Sequence, residues 1–253
     1  MMLGRQLQEQ GGFLFRWRSF LPFVLLVPTL AALFNSDLIE VRFGELTAHM
    51  WGGICLTISL LGQVWRSLTV GSVPGGTSGR NTIEQRADVL NTTGVYSVCR
   101  NPLYFGNFVV VMGFVMALGE WWLALIALLA FALYYERIII VEEAYLDEKF
   151  GAAFRTWAKD TPSFLPRLSG WHTAAQPFSL RKVLRKEYNG YALILITFPA
   201  IDFLSDLIGE GKTPLAWLHE DLPWACVALA GLILLIVFRS LKRHTALLDV
   251  TDR

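Results

Sequence analysis

The chain has 253 residues, 54% of them hydrophobic and 17% charged, with a mean hydropathy of +0.45. A water-soluble domain carries nearer a quarter charged residues, so that class is excluded. Lys and Arg number 22 against 21 Asp and Glu, and a net charge of +1 is too small to hold a nucleic-acid backbone.

Six apolar segments follow in order, at about 20–34, 46–65, 105–118, 121–135, 188–208 and 222–238. They predict an all-α, polytopic helical membrane protein with about six transmembrane helices. Arg16 and Arg18 precede the first segment, as they would a signal peptide. No small-residue cleavage site follows at Asn35-Ser36-Asp37, so the segment reads as an uncleaved anchor. The second and fifth reach the roughly 20 residues that a span needs. The third and fourth are joined only by Gly119-Glu120 and read as a tight helical hairpin. Trp121 and Trp122 beside that turn suit a membrane interface. Three units are expected: an N-terminal hairpin at 1–70, a core with a cap at 71–170, and a basic linker with a C-terminal helix pair at 171–253.

Charge orients the chain. Counting alternate connections, twenty Lys or Arg fall on one side and two, Arg42 and Lys212, on the other. The positive-inside rule then places both termini in the cytoplasm, and a multi-pass protein of an inner or plasma membrane is expected.

Two polar stretches on the basic side are long enough for chemistry. The first, 66–103, opens with a Gly-rich run at 71–79 that lacks the P-loop Lys-Ser/Thr and the dinucleotide spacing. It reads as a linker or mobile lid. In the second, 137–187, Leu146, Phe150, Ala153 and Trp157 share one helical face, so a helix is expected to run on out of the fourth segment as a cap. Pro162, Pro166 and Pro177 then break the chain. Arg181, Lys182, Arg185 and Lys186 read as topological charges that bind anionic lipid. Cys55, Cys99 and Cys226 are dispersed and form no C-x-x-C pair. His49, His172, His219 and His244 are remote from one another in sequence, and no metal site is expected among them. The Asn91-Thr92-Thr93 sequon is idle on the cytoplasmic side.

The densest chemistry lies at Thr93-Gly94-Val95-Tyr96, at Arg100-Asn101-Pro102-Leu103-Tyr104-Phe105-Gly106, at Glu142-Glu143 and at Phe150-Gly151-Ala152-Ala153-Phe154. Ionisable groups so close to lipid are costly and face a bundle interior or a ligand. In this order they resemble the motif of the isoprenylcysteine carboxyl methyltransferase family, itself similar to the phospholipid methyltransferases. The resemblance spans about 80–167. It implies a helical membrane enzyme that binds S-adenosylmethionine on its cytoplasmic side through Asn81, Tyr96, Arg100, Asn101, Pro102, Leu103, Tyr104, Glu142 and Glu143. Asn101 stands where the family usually has His, and Asn cannot titrate. Phe154 replaces the final Tyr. Ile138 occupies the position of a family substrate-contacting Arg, with Arg137 one residue away. Asn101 and Arg137 are the catalytic candidates.

The side chains suit such a cofactor. A guanidinium at Arg100 matches a carboxylate bidentately, acids at Glu142 and Glu143 accept from ammonium or ribose hydroxyls, and Tyr96 and Tyr104 offer faces to adenine or a sulfonium. The expected reaction is methylation of a lipid or lipid-anchored substrate. A carboxylate or phosphate oxygen is favoured, because an anionic acceptor needs no general base. Phospholipid N-methylation and an NADPH-dependent sterol-type reductase are the alternatives.

Overall fold

The structure is a computed structural model, and it describes residues 2–17, 24–33, 38–74 and 87–249. Ten α-helices occur among them: α1 (Met2–Arg16), α2 (Leu26–Leu33), α3 (Leu38–Phe43), α4 (Glu45–Gly71), α5 (Pro102–Ala117), α6 (Trp121–Phe150), α7 (Ala152–Asp160), α8 (Leu180–Ser205), α9 (Pro214–Glu220) and α10 (Leu222–His244). Helices α4, α6, α8 and α10 are long and apolar enough to cross a membrane, and α5 is a shorter apolar helix. The protein is an all-α polytopic membrane protein.

Of the first apolar segment, the described residues 24–33 are helical and include α2; positions 18–23 and 34–37 lie outside the described residues. Two expectations need adjustment. The cap does not continue as one helix. Gly151 takes φ 53°, a backbone favoured by glycine alone, and there α6 stops and α7 sets off in a new direction. The basic run Arg181–Lys186 lies within the first turns of α8, not in a linker.

Local sequence explains several boundaries. Pro102 and Pro214 occupy first-turn positions of α5 and α9, where a missing N–H costs nothing. Ser179 caps α8 by accepting from the Lys182 amide at 3.3 Å. Gly119, at φ 73°, makes the turn between α5 and α6.

Helix α4 is the hub. It packs on α5 and α8, while α8 carries α10 and α6 carries α1. Some 39% of the apolar window of α4 is buried against 11% for α10, which marks α4 as central and α10 as peripheral. Leu229, Leu232, Ile233, Ile236 and Val237 of α10 face outward, as expected where lipid is the solvent. Small residues let α4 and α5 approach. A Cβ on Gly62 would sit 2.8 Å from the Gly106 carbonyl, and one on Gly113 would sit 2.7 Å from the Cys55 carbonyl. Ser59 fills this contact by donating to the Val110 carbonyl at 2.8 Å.

Candidate functional site

The site is assembled at the Gly71 end of α4, where the chain from 93 to 101 meets the chain from 157 to 174. The Gly94 amide donates to the His172 carbonyl, the Arg100 amide to the Pro162 carbonyl and the Arg167 amide to the Val98 carbonyl, each at 2.9 Å. Ser97 Oγ donates to the Gly94 carbonyl at 2.7 Å and accepts from the His172 amide at 2.9 Å. Trp157 Nε1 donates to the Tyr96 carbonyl at 3.2 Å. The two loops thus hold each other while carrying residues to the end of the bundle.

Arg100 is the centre of a clamp. Its Nε and Nη2 donate to Oε1 and Oε2 of Glu143, both at 2.9 Å. Its Nη1 donates to the carbonyls of Ala158 and Thr161. Glu143 Oε1 also accepts from Ser163 Oγ at 3.1 Å and from Asn101 Nδ2 at 3.3 Å, and Asn101 Nδ2 further reaches the Ser163 carbonyl at 3.0 Å. Four guanidinium N–H groups are therefore engaged inside the protein. The bidentate face expected to meet a cofactor carboxylate is instead turned to Glu143. Arg100, Asn101 and Glu143 tie α5, α6 and the segment after α7 together.

The neighbouring acid faces elsewhere, because adjacent helical residues point about 100° apart. Glu142 Oε1 accepts from the Tyr104 hydroxyl at 2.6 Å. Tyr104 lies against Tyr135, with ring centroids 4.5 Å apart. Burial, and secondarily the charge of Glu142, raise the Tyr96 phenol above its ordinary range, so it stays a neutral donor beside the acid. Cys99 is buried behind it, its Sγ directed to the Phe164 carbonyl at 3.1 Å. Burial pushes that thiol up to about 12. The surrounding aromatic wall includes Phe108, Phe131 and Phe164. The arrangement offers one carboxylate, two phenols and aromatic faces, which fits an ammonium or hydroxyl donor joined to a flat ring system.

A second polar network continues from this wall and was not legible as a site in the sequence. Asn107 Nδ2 donates to the Tyr135 hydroxyl at 3.2 Å, and Arg66 Nη1 donates to Asn107 Oδ1. Arg66 then pairs bidentately with Glu187 of α8, at 3.0 and 3.1 Å. Gln63 Nε2 donates to the same carboxylate at 2.8 Å. Glu187 is 3% exposed. Sequence reasoning counted Arg66 as a topological charge. The available signal was its position inside an apolar helix beside Gln63.

The other expected residues are placed as follows. Pro102 is fully buried, and its carbonyl accepts from Trp65 Nε1 at 3.0 Å. Leu103 is half-buried in the first turn of α5. Arg137 is not brought to the cluster: it faces α1, with Nε donating to Gln10 Oε1 at 3.2 Å and Nη1 to the Leu133 carbonyl at 2.8 Å. Asn81 lies outside the described residues.

Residues 48–153 match the phospholipid methyltransferase family. The chain is 40% identical over 124 residues to a nickel-cobalt-cadmium resistance protein of Alcaligenes xylosoxydans xylosoxydans, covering 49% of this chain and 51% of that one. It is 32% identical over 118 residues to a cobalt-zinc-cadmium resistance protein of Cupriavidus metallidurans, covering 47% and 49%. It is 31% identical over 136 residues to a protein-S-isoprenylcysteine O-methyltransferase of Schizosaccharomyces pombe, covering 53% and 55%. The chain spans about half the length of the curated relatives it matches. No solved structure matches it. The resemblance to membrane methyltransferases that the ordered motif carries is thus supported by family and relative alike.

Proposed function

We propose that the protein is an S-adenosylmethionine-dependent methyltransferase that acts on a membrane-embedded lipid or lipidated substrate. The observation that carries this reading is the division of labour in the acid pair, within a segment that matches a methyltransferase family: Glu143 belongs to the Arg100 clamp, and Glu142 stands with Tyr104, whose hydroxyl donates to it, and with Tyr96 nearby. Glu142 accepts from the cofactor's ammonium or ribose hydroxyls, and the two tyrosines border its adenine or sulfonium. Arg100, Asn101 and Glu143 are positioning residues. The bound cofactor supplies an electrophilic methyl group. The chain's part is to hold the acceptor in line with it and to keep water away, for which the aromatic wall of Phe108, Phe131 and Phe164 is suited.

The acceptor in this reading is an oxygen of a lipid-borne carboxylate or phosphate, reached laterally between helices from the cytoplasmic leaflet. Such an oxygen is already a nucleophile, and Asn101 in the clamp carries no proton to move. The test is incubation of the purified protein with methyl-labelled S-adenosylmethionine and total membrane lipid. Base-labile label on a lipid ester is expected. Label on an ethanolamine nitrogen moves the assignment to phospholipid N-methylation. Tight NADPH binding without S-adenosylmethionine binding replaces it with the reductase.

The names of two relatives favour a second reading of its context, in which the enzyme modifies a membrane component that serves metal resistance. Deletion in the native host is then expected to lower tolerance to nickel or cobalt, and unchanged tolerance removes this reading.

A further inference from the structure

The end of the bundle opposite the Arg66–Glu187 pair holds a separate group of ligating side chains. His49 lies on α4 about 25 Å from Arg66 at 1.5 Å per residue. His49 Nε2 is 2.8 Å from Asp221 Oδ1. Asp202, near the end of α8, brings a third donor, and the imidazole nitrogen and the two carboxylate oxygens all lie within 4.8 Å of one another. Asp221 is 3% exposed. Trp217 Nε1 donates to Asp202 Oδ2 at 2.9 Å, which fixes that carboxylate and leaves its other oxygen to the cluster.

These three residues border a cavity of about 70 Å³ that Glu40, Glu45 and Asp206 also line. Its one lysine, Lys212, is paired with Asp206 at 2.9 Å and with Glu220 at 3.4 Å. Five carboxyl groups and one lysine line this partly buried space, an oxygen-rich lining suited to a divalent cation. The donor set, one imidazole nitrogen and two carboxylate oxygens with room for water, is that of a borderline transition metal; an all-oxygen set would instead suit calcium or magnesium. Trp217 bound to Asp202 has the place of an outer-shell partner that orients a ligand.

We propose that His49, Asp202 and Asp221 form a binding site for a divalent transition-metal ion such as Co²⁺, Ni²⁺ or Zn²⁺, on the membrane face opposite the methyl-transfer site. The metal takes the place of the His49–Asp221 hydrogen bond, the imidazole ligating through an unprotonated ring nitrogen. Asp202 and Asp221 lie beyond the residues that match the methyltransferase family, so the site is an addition of the C-terminal helices to the core. The sequence reading looked for partners among the histidines alone; the cluster needs one histidine and two acids from three helices or their ends.

The experiment is titration of untagged, full-length protein in nanodiscs with Co²⁺, read by visible ligand-field absorption and by calorimetry, with Ni²⁺ and Zn²⁺ as competitors. One tight site per chain is expected. His49→Ala and Asp221→Asn are each expected to weaken it by at least the roughly 10–100-fold that loss of an outer-shell partner costs, and Trp217→Phe by about that amount. Circular dichroism and gel filtration of each variant show that the fold is retained. Metal binding that His49→Ala and Asp221→Asn leave unchanged in well-folded protein overturns the proposal, as does absence of binding in the parent chain. Neither readout depends on the methyl-transfer reading.

Discussion

Glu142 and Glu143 are adjacent, identical and chemically equivalent in sequence, yet the structure gives them different work. Glu143→Gln leaves the Arg100 guanidinium short of its bidentate partner and is expected to lower unfolding stability by about 1–3 kcal/mol. Glu142→Gln is expected to weaken binding of S-adenosylhomocysteine roughly 10–100-fold, the equivalent of a lost charge-assisted hydrogen bond, with stability nearly unchanged. Denaturation and calorimetry on the two variants check the separation; equal loss of stability in both contradicts it. Cys99 gives a pH-dependent prediction. Its thiol is raised from 9.0 to about 12, chiefly by burial, so it stays protonated in the folded chain while the unfolded chain ionises. Its contribution to stability is complete below about 9 and is lost as pH rises from there toward about 12. Maleimide should accordingly label Cys99 about a thousandfold more slowly in folded protein than in detergent-denatured protein near that lower value, which peptide mapping measures.

Between elements, closeness of backbone decides. Gly113 of α5 admits no Cβ without movement of α4, whereas a Cβ on Gly53 meets nothing within 4 Å. Gly113→Ala is expected to cost about 1–3 kcal/mol through overpacking. Gly53→Ala is expected to be neutral or stabilising by up to about 1 kcal/mol. Denaturation in mixed detergent distinguishes them. The same scale shows what sequence can and cannot give. The hairpin α5–α6 was legible because two apolar runs flank Gly119-Glu120, and the site loop because its Arg, Pro and Tyr stand in a fixed order. The roles of Glu142 and Glu143 were not separable, since residue spacing gives the face of a helix but not what that face meets. The break at Gly151 was missed because the apolar face of Leu146, Phe150, Ala153 and Trp157 continues across it, and a positive φ leaves no trace in hydrophobic periodicity. The Arg66–Glu187 pair was illegible because its members lie 121 positions apart.

At the scale of the whole molecule, the basic residues flank one set of helix ends. Reporter fusions after Gly119 and Gly211 are expected to report the non-cytoplasmic side, and a fusion after Asp249 the cytoplasmic side. A cytoplasmic signal after Gly119 would break the α5–α6 hairpin as a membrane-crossing unit and require a different placement of the site. The methyltransferase-like segment and the C-terminal helices meet in α4 and α8, so the bundle has one axis with different chemistry at its two ends: the tyrosines and acids at one, the His49 cluster at the other.

The tie between Arg66 and Glu187 also sets an order of events at birth. Arg66 leaves the ribosome 121 residues ahead of its partner, which at about 5–20 residues per second is a wait of roughly 6–24 s. Through that interval α4 is in the membrane with a guanidinium one turn or so from its end, and the stem has to stretch toward water to keep the charge hydrated. Asn107, 41 positions on, comes within reach earlier, but the bidentate carboxylate pairing waits for α8. Completion of the Arg66 network is thereby tied to the translation of α8, and a chain that stops before Glu187 lacks the carboxylate that Arg66 pairs with.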